Sequence, residues 1–223
     1  MNTDLSQVIQ SIAITFPAFL LALVVHEYAH AWMAQRFGDQ TASWNGRLTL
    51  NPMAHIDPIG TIVLPLVGIV FGGLMFGWAK PVPIDVRQFS NYRKGLFWVS
   101  FAGPLSNILF GFLSTLAFFA VQIYLPKSFG YREAMIALSQ SLTVVNFMLA
   151  VFNLLPIPPM DGSNIVLSFL NYNATRKFLE LQQYSFLFMI ALMVSGAFRF
   201  LAIPVMGLAA ISESVARLLF GLA

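Results

Sequence analysis

Cysteine is absent from the 223 residues. That excludes disulfides and every zinc site built on thiolates, and leaves the redox compartment undecided. Charge is nearly as scarce. Asp, Glu, Lys and Arg make up 9% of the chain, against about 25% in soluble domains, while 58% is hydrophobic and mean hydropathy is +0.76. The balance excludes a soluble enzyme and points to an integral membrane protein whose core is the bundle itself. Net charge is +3, but the basic residues are scattered and flank apolar runs. They read as loops on the cytoplasmic side of a membrane rather than as a nucleic-acid patch. No tandem repeat or low-complexity tract is present. The first seven residues contain Asp4 and no Lys or Arg. They lack the basic start of a signal peptide, so the first apolar run is expected to be a retained helix.

Charge-free runs cover 5–26, 58–79, 95–126, 134–160, 181–198 and 200–212. A helical span needs roughly 20 residues. The pattern predicts an all-α polytopic protein of about five to six transmembrane helices, the last of which is a short span or an interfacial helix. One membrane-embedded domain is expected over 1–223, with a catalytic core at about 8–170 and C-terminal helices at about 181–221. The second run holds Pro65, Gly68, Gly72, Gly73 and Gly77, all helix-weakening. It is expected to dip in and return over about 58–77. The flanking stretches Thr41–Leu50 and Ala79–Val86 alternate enough to suggest short strands near the site.

Within this apolar frame, His26-Glu27-Tyr28-Ala29-His30 stands out. Ionisable groups in hydrocarbon are expensive and mark function. Helical residues four apart share a face, so His26 and His30 can present two imidazoles to one metal ion. Glu27, rotated by about 100°, falls beside that ion and can take a proton from a bound water. Far along the chain comes Asn153-Leu154-Leu155-Pro156-Ile157-Pro158-Pro159-Met160-Asp161-Gly162. Three prolines cannot continue a helix, so the backbone must unwind. Asp161, the only acid between Glu133 and Glu180, can complete a site of two His and one Asp with water in the fourth position. His55 is the third and last histidine. It is read as a ligand in place of Asp161, as a residue that orients a ligand by a hydrogen bond, or as a loop histidine bonding backbone carbonyls.

These elements, together with Gly103-Pro104-Leu105-Ser106-Asn107, resemble the site-2 proteases, a family of intramembrane zinc metallopeptidases. Leu50-Asn51-Pro52 through Gly60 and Gly77-Trp78-Ala79-Lys80-Pro81-Val82-Pro83 look like one short bacterial subgroup, in which no PDZ or CBS domain is expected. Met160 stands where the family usually has Leu. The resemblance implies one zinc ion held by His26, His30 and Asp161, with Glu27 as general base and acid. Asn153 would hydrogen-bond substrate backbone or the oxyanion, and Asn107 would pack or polarise the site.

Topology follows from charge. If the second run returns to the face it left, Arg36, Arg47, Lys80, Arg87, Arg93, Lys94, Arg176, Lys177 and Arg217 share one face, and Lys127, Arg132 and Arg199 the other. The richer face should be cytoplasmic. That puts the N-terminus outside and the site toward the cytoplasm, in a bacterial inner membrane. His26 precedes Arg36 by ten residues, or about 15 Å of helix, so the zinc would lie within the bilayer. The expected activity is hydrolysis of peptide bonds in or near transmembrane segments of other membrane proteins. The rivals are a metal-ion transporter using the His/His/Asp site, a scaffold retaining a structural zinc, and a zinc hydrolase of amphiphiles. The sequence leaves the oligomeric state open.

Overall fold

The first charge-free run and the histidine motif form one helix, α1 (Leu5–Arg36), whose 32 residues extend about 48 Å. The structure, a computed structural model, describes residues 5–70 and 77–222 apart from the side chains of Phe186 and Met193. α1 stops where Gly38 N–H donates to Gln35 C=O (3.1 Å) and Asp39 N–H to Ala34 C=O (3.0 Å), a Schellman pair that satisfies carbonyls of the last turn. A single turn, α2 (Thr41–Trp44), follows. Pro58–Val63 is a π-helical turn whose first amides, Ile59 and Gly60, are capped by Asp57, and it continues as α3 (Leu64–Val70). α4 (Tyr92–Tyr124) starts at Asn91, whose side chain accepts from Lys94 N–H. α5 (Arg132–Asn153), α6 (Asp161–Phe169), α7 (Tyr172–Gln182) and α8 (Ser185–Val194) lead through the 3-10 turn Ala197–Leu201 into α9 (Ala202–Leu219).

Among the described residues, four helices are long and apolar enough to cross a membrane: α1, α4, α5 and Ala197–Leu219. The expected five to six spans are not reached among the described residues. The run 181–198 yields only α8, whose 10 residues reach about 15 Å, half the hydrocarbon thickness. It cannot grow because Ser195-Gly196 turns the chain. Short strands are also absent among the described residues. Pro81 and Pro83 remove ladder donors, and the amides of Trp78, Lys80 and Val82 go to Gly60 C=O, His55 C=O and Glu27 Oε2 instead of to a neighbouring strand. The Gly72 and Gly73 part of the proposed dip lies outside the described residues. Its two ends do meet, because Trp78 N–H lies 3.1 Å from Gly60 C=O and Thr61 Oγ1 donates to Trp78 C=O at 2.8 Å.

Polarity is inverted relative to a water-soluble fold. Asn107 and Asn146 are fully buried, while Leu113 (62%) and Ile203 (69%) are exposed, as expected when the surrounding solvent is lipid. α4 is central and packs on α1, α5, α6 and α9. Thr115 Oγ1 meets Thr143 Oγ1 at 3.3 Å and Ser212 Oγ at 3.1 Å, joining α4, α5 and α9 by hydroxyl contacts.

Helix directions revise the charge count. Ser90 N–H bonds Phe37 C=O at 2.8 Å, so α1 ends where α4 begins. Phe198 touches Phe152 at the end of α5, with ring centroids 5.9 Å apart, whereas Phe220 stacks on Phe119 at 6.4 Å near the far end of α4. α9 therefore runs parallel to α4. Arg199 belongs with the end where α1 and α5 finish, and Arg217, over the Phe119 ring at 5.7 Å, belongs with the other. The two arginines exchange places and the count stays at nine against three.

Candidate metal centre

One helical turn separates His26 from His30, and both rings turn inward, 5% and 7% exposed. Their Nε2 atoms lie 3.0 Å apart. Asp161 Oδ2 lies 3.2 Å from the first and 3.3 Å from the second. Nothing local in the sequence brings Asp161 here. The chain unwinds after Asn153, turns with Leu155 N–H on Phe152 C=O and Met160 N–H on Ile157 C=O, and restarts at Asp161 as the first residue of α6. An acid suits that position because the helix dipole favours negative charge there. Gly162 is needed behind it, since a Cβ would sit 2.3 Å from Leu154 C=O and 2.4 Å from Leu155 C=O, both backbone atoms.

The far side of each imidazole fixes its proton. His30 Nδ1 lies 2.7 Å from Val99 C=O. A carbonyl only accepts, so Nδ1 carries the hydrogen. His26 Nδ1 lies 2.6 Å from Asn107 Oδ1. The orientation of Asn107 is set in turn, because its Nδ2 donates to Ala22 C=O at 3.0 Å and to Asn146 Oδ1 at 2.8 Å. Asn146 is oriented by its own donation to Leu142 C=O at 2.8 Å. Flipping either amide would set oxygen against oxygen. As neutral imidazoles, both rings therefore present an Nε2 lone pair, and these face a carboxylate oxygen that is buried without a hydrogen-bond partner. Three such acceptors repel one another unless a positive charge, a proton or a metal ion, lies between. Ligands on a tetrahedral zinc at 2.0–2.1 Å stand about 3.3 Å apart, close to the separations seen here. The donor set, two imidazoles and a carboxylate, suits zinc chemically.

α4 closes one side of this triangle at Gly103. A Cβ there would fall 2.5 Å from His30 Nε2 and 2.7 Å from His26 Nε2, so the helix backbone forms one wall of the cradle. Glu27 is half-buried, and its Oε2 accepts Val82 N–H at 2.9 Å. Asn153 lies on the last turn of α5, with Nδ2 donating to Leu149 C=O at 3.0 Å. Asn107 proves to be the hydrogen-bond partner of His26, a closer involvement than its place in a glycine-containing helix motif suggests. His55 is buried but is not grouped with His26, His30 and Asp161, which form the cluster able to hold a metal among the described residues. Its Nε2 bonds Thr49 C=O at 2.8 Å, as read for a loop histidine. Asn146 was missed by sequence reasoning, although an amide in the middle of the fourth apolar run was the available signal. Outside the spanning segments, hydrogen bonds from Arg87 hold the Asp85 carboxyl below the usual carboxylate range.

The profile of "Peptidase family M50" matches residues 121–196. The "Putative zinc metalloprotease YwhC" of Bacillus subtilis is 37% identical over 183 residues, 79% of this chain and 78% of that protein. The "Putative zinc metalloprotease Rip2" of Mycolicibacterium smegmatis is 31% identical over 179 residues, 80% of this chain and 66% of its own length. The "Zinc metalloprotease MJ0392" of Methanocaldococcus jannaschii is 25% identical over 161 residues, 71% of this chain and 35% of that protein. No solved structure matches.

Proposed function

Because this chain belongs to peptidase family M50, the site-2 proteases, and is a multi-pass membrane zinc metallopeptidase, we propose that it hydrolyses peptide bonds in or near transmembrane segments of other membrane proteins. The observation that carries this reading is the convergence of His26 Nε2, His30 Nε2 and Asp161 Oδ2 at 3.0–3.3 Å inside the helix bundle. We assign these three as the zinc ligands. Zinc, when bound, supplies Lewis acidity and a water acidified toward neutrality.

Glu27 is the general base and acid. Its Oε2 takes the Val82 amide hydrogen, which leaves Oε1 to receive the proton of the attacking water and return it to the leaving amine. Asn153 binds substrate backbone or the oxyanion, exchanging its present bond to Leu149 for one to the substrate. Asn107 holds His26 in the tautomer that presents Nε2. His55 serves the fold near the site and is not a ligand.

The residues act as one membrane-embedded unit. The two ends of the second apolar run lie on one face of the membrane, a reading supported by the Trp78–Gly60 and Thr61–Trp78 hydrogen bonds, and the basic end of the bundle faces the cytoplasm. A substrate helix hides its carbonyls in its own hydrogen bonds, so it unwinds before cleavage.

Glu27→Gln tests the assignment. Cleavage of a transmembrane substrate by the purified protein should fall at least about 100-fold, while zinc stays near one per chain by elemental analysis. Undiminished cleavage would remove Glu27 from the chemistry.

A further inference from the structure

Arg47 is 8% exposed and, among the described residues, has no carboxylate partner. Burying a cation without a counter-charge is costly. Its Nη2 spends its hydrogens on two peptide carbonyls, Lys80 C=O at 2.5 Å and Pro81 C=O at 3.1 Å. Its Nε is buried without a partner. Salt bridging does not account for this residue; the place where the two carbonyls lie does.

Lys80 and Pro81 lead directly into Val82, whose N–H donates to Glu27 Oε2. The segment is stiff. Pro81 and Pro83 fix their own φ angles and restrict the residues before them. It is also pinned at several amides: Trp78 N–H on Gly60 C=O, Lys80 N–H on His55 C=O at 2.9 Å, and Asp85 N–H on Asp39 Oδ2 at 2.8 Å. Among the described residues, Arg47 alone holds the carbonyl side at the residues next to Val82. Lys80 is thus gripped on both sides of its backbone, and the peptide plane that carries the Val82 amide begins at the Pro81 carbonyl that Arg47 bonds.

The geometry points to Arg47 as the positioning residue for Glu27, acting through the Lys80-Pro81-Val82 backbone. It orients the one amide that fixes the carboxylate oxygen not used for proton transfer. This inference rests on the reading of Glu27 as general base. Arg47 hydrogen-bonds to neither the metal ligands nor Glu27, so it acts by aiming the Val82 N–H.

Proline supplies an unusual readout. Pro81 and Pro83 have no amide hydrogen, so Val82 is the only exchanging amide between Lys80 and Ile84. The experiment uses the full chain, zinc-loaded, in lipid nanodiscs. In Arg47→Met, Val82 amide exchange should speed at least tenfold and kcat should fall about tenfold, with KM and zinc content unchanged. Arg47→Lys, which keeps a donor, should recover part of both. Unaltered Val82 exchange in Arg47→Met, or faster exchange with unaltered kcat, overturns the proposal. Should Arg47→Met fail to fold, Val82→Pro removes the amide hydrogen while leaving the Arg47 acceptors in place. Full kcat in that variant also overturns it. The two readings separate cleanly. An active Glu27→Gln sinks the base assignment, whereas an inactive Glu27→Gln beside a fully active Arg47→Met sinks only the positioning role.

Discussion

At the scale of single residues, the centre depends on a line of amides as much as on its ligands. Asn146 orients Asn107, and Asn107 orients His26, each through a hydrogen bond of 2.8 Å or less. Partners of this kind typically change metal affinity 10–100-fold when lost. Asn107→Leu keeps the volume and removes the acceptor, leaving the His26 Nδ1–H buried and unpaired. Zinc affinity, measured by competition with a chelating dye, should drop about 10–100-fold, and Asn146→Leu should weaken it less. An unchanged affinity in Asn107→Leu would mean that the bond does not set the tautomer. The proposed ligand residues were legible because ionisable groups in an apolar chain are few. Asn107 was legible only as a motif member. Asn146 was not legible, since its pairing with Asn107 depends on how α4 and α5 lie side by side across a separation of 39 residues.

Elements carry the next constraint, the close approach of backbone to the centre. Gly103 on α4 and Gly162 on α6 each leave room that one methyl group would fill. Overpacking in a tight core costs about 1–3 kcal/mol, but here the displaced atoms are the metal donors or the turn behind Asp161. Gly103→Ala and Gly162→Ala should therefore lose zinc at least about tenfold more readily than they lose helix content, with a lipid-facing control, Val144→Ala, losing neither. Zinc per chain and circular dichroism on the same preparations would check this. Retained stoichiometry and affinity in Gly103→Ala would show that α4 can retreat. Unwinding at 154–160 was predictable from Pro156, Pro158 and Pro159. The strand reading of Ala79–Val86 failed for the same chemistry: alternation suggested a strand, while Pro81 and Pro83 had already removed the donors a ladder needs. That α8 falls short of a span is a matter of length, because apolar character alone did not reveal the turn at Ser195-Gly196 that limits it.

For the whole molecule, the decisive quantity is which end of the bundle carries the basic residues. Nine of the twelve Lys and Arg gather where α1 and α5 finish, and the positive-inside rule is the ground for proposing that this end is cytoplasmic. The sequence reached this count with Arg217 and Arg199 on the wrong ends, because the direction of α9 is fixed only by the contacts of Phe198 and Phe220. The error cancelled, so the count alone could not have exposed it. Labelling can. With no native cysteine, each introduced one reports a single position to a membrane-impermeant thiol reagent. Ser128→Cys, in the loop joining α4 to α5, should label in intact cells, and Asn173→Cys on α7 only after permeabilisation. Leu222→Cys, just beyond α9, separates the two arrangements. It should label from outside if α9 runs parallel to α4, and from inside if Arg217 lay on the cytoplasmic face. Outside labelling at both Asn173→Cys and Leu222→Cys would overturn the proposed orientation, because those sites lie toward opposite ends of the bundle and cannot share a face.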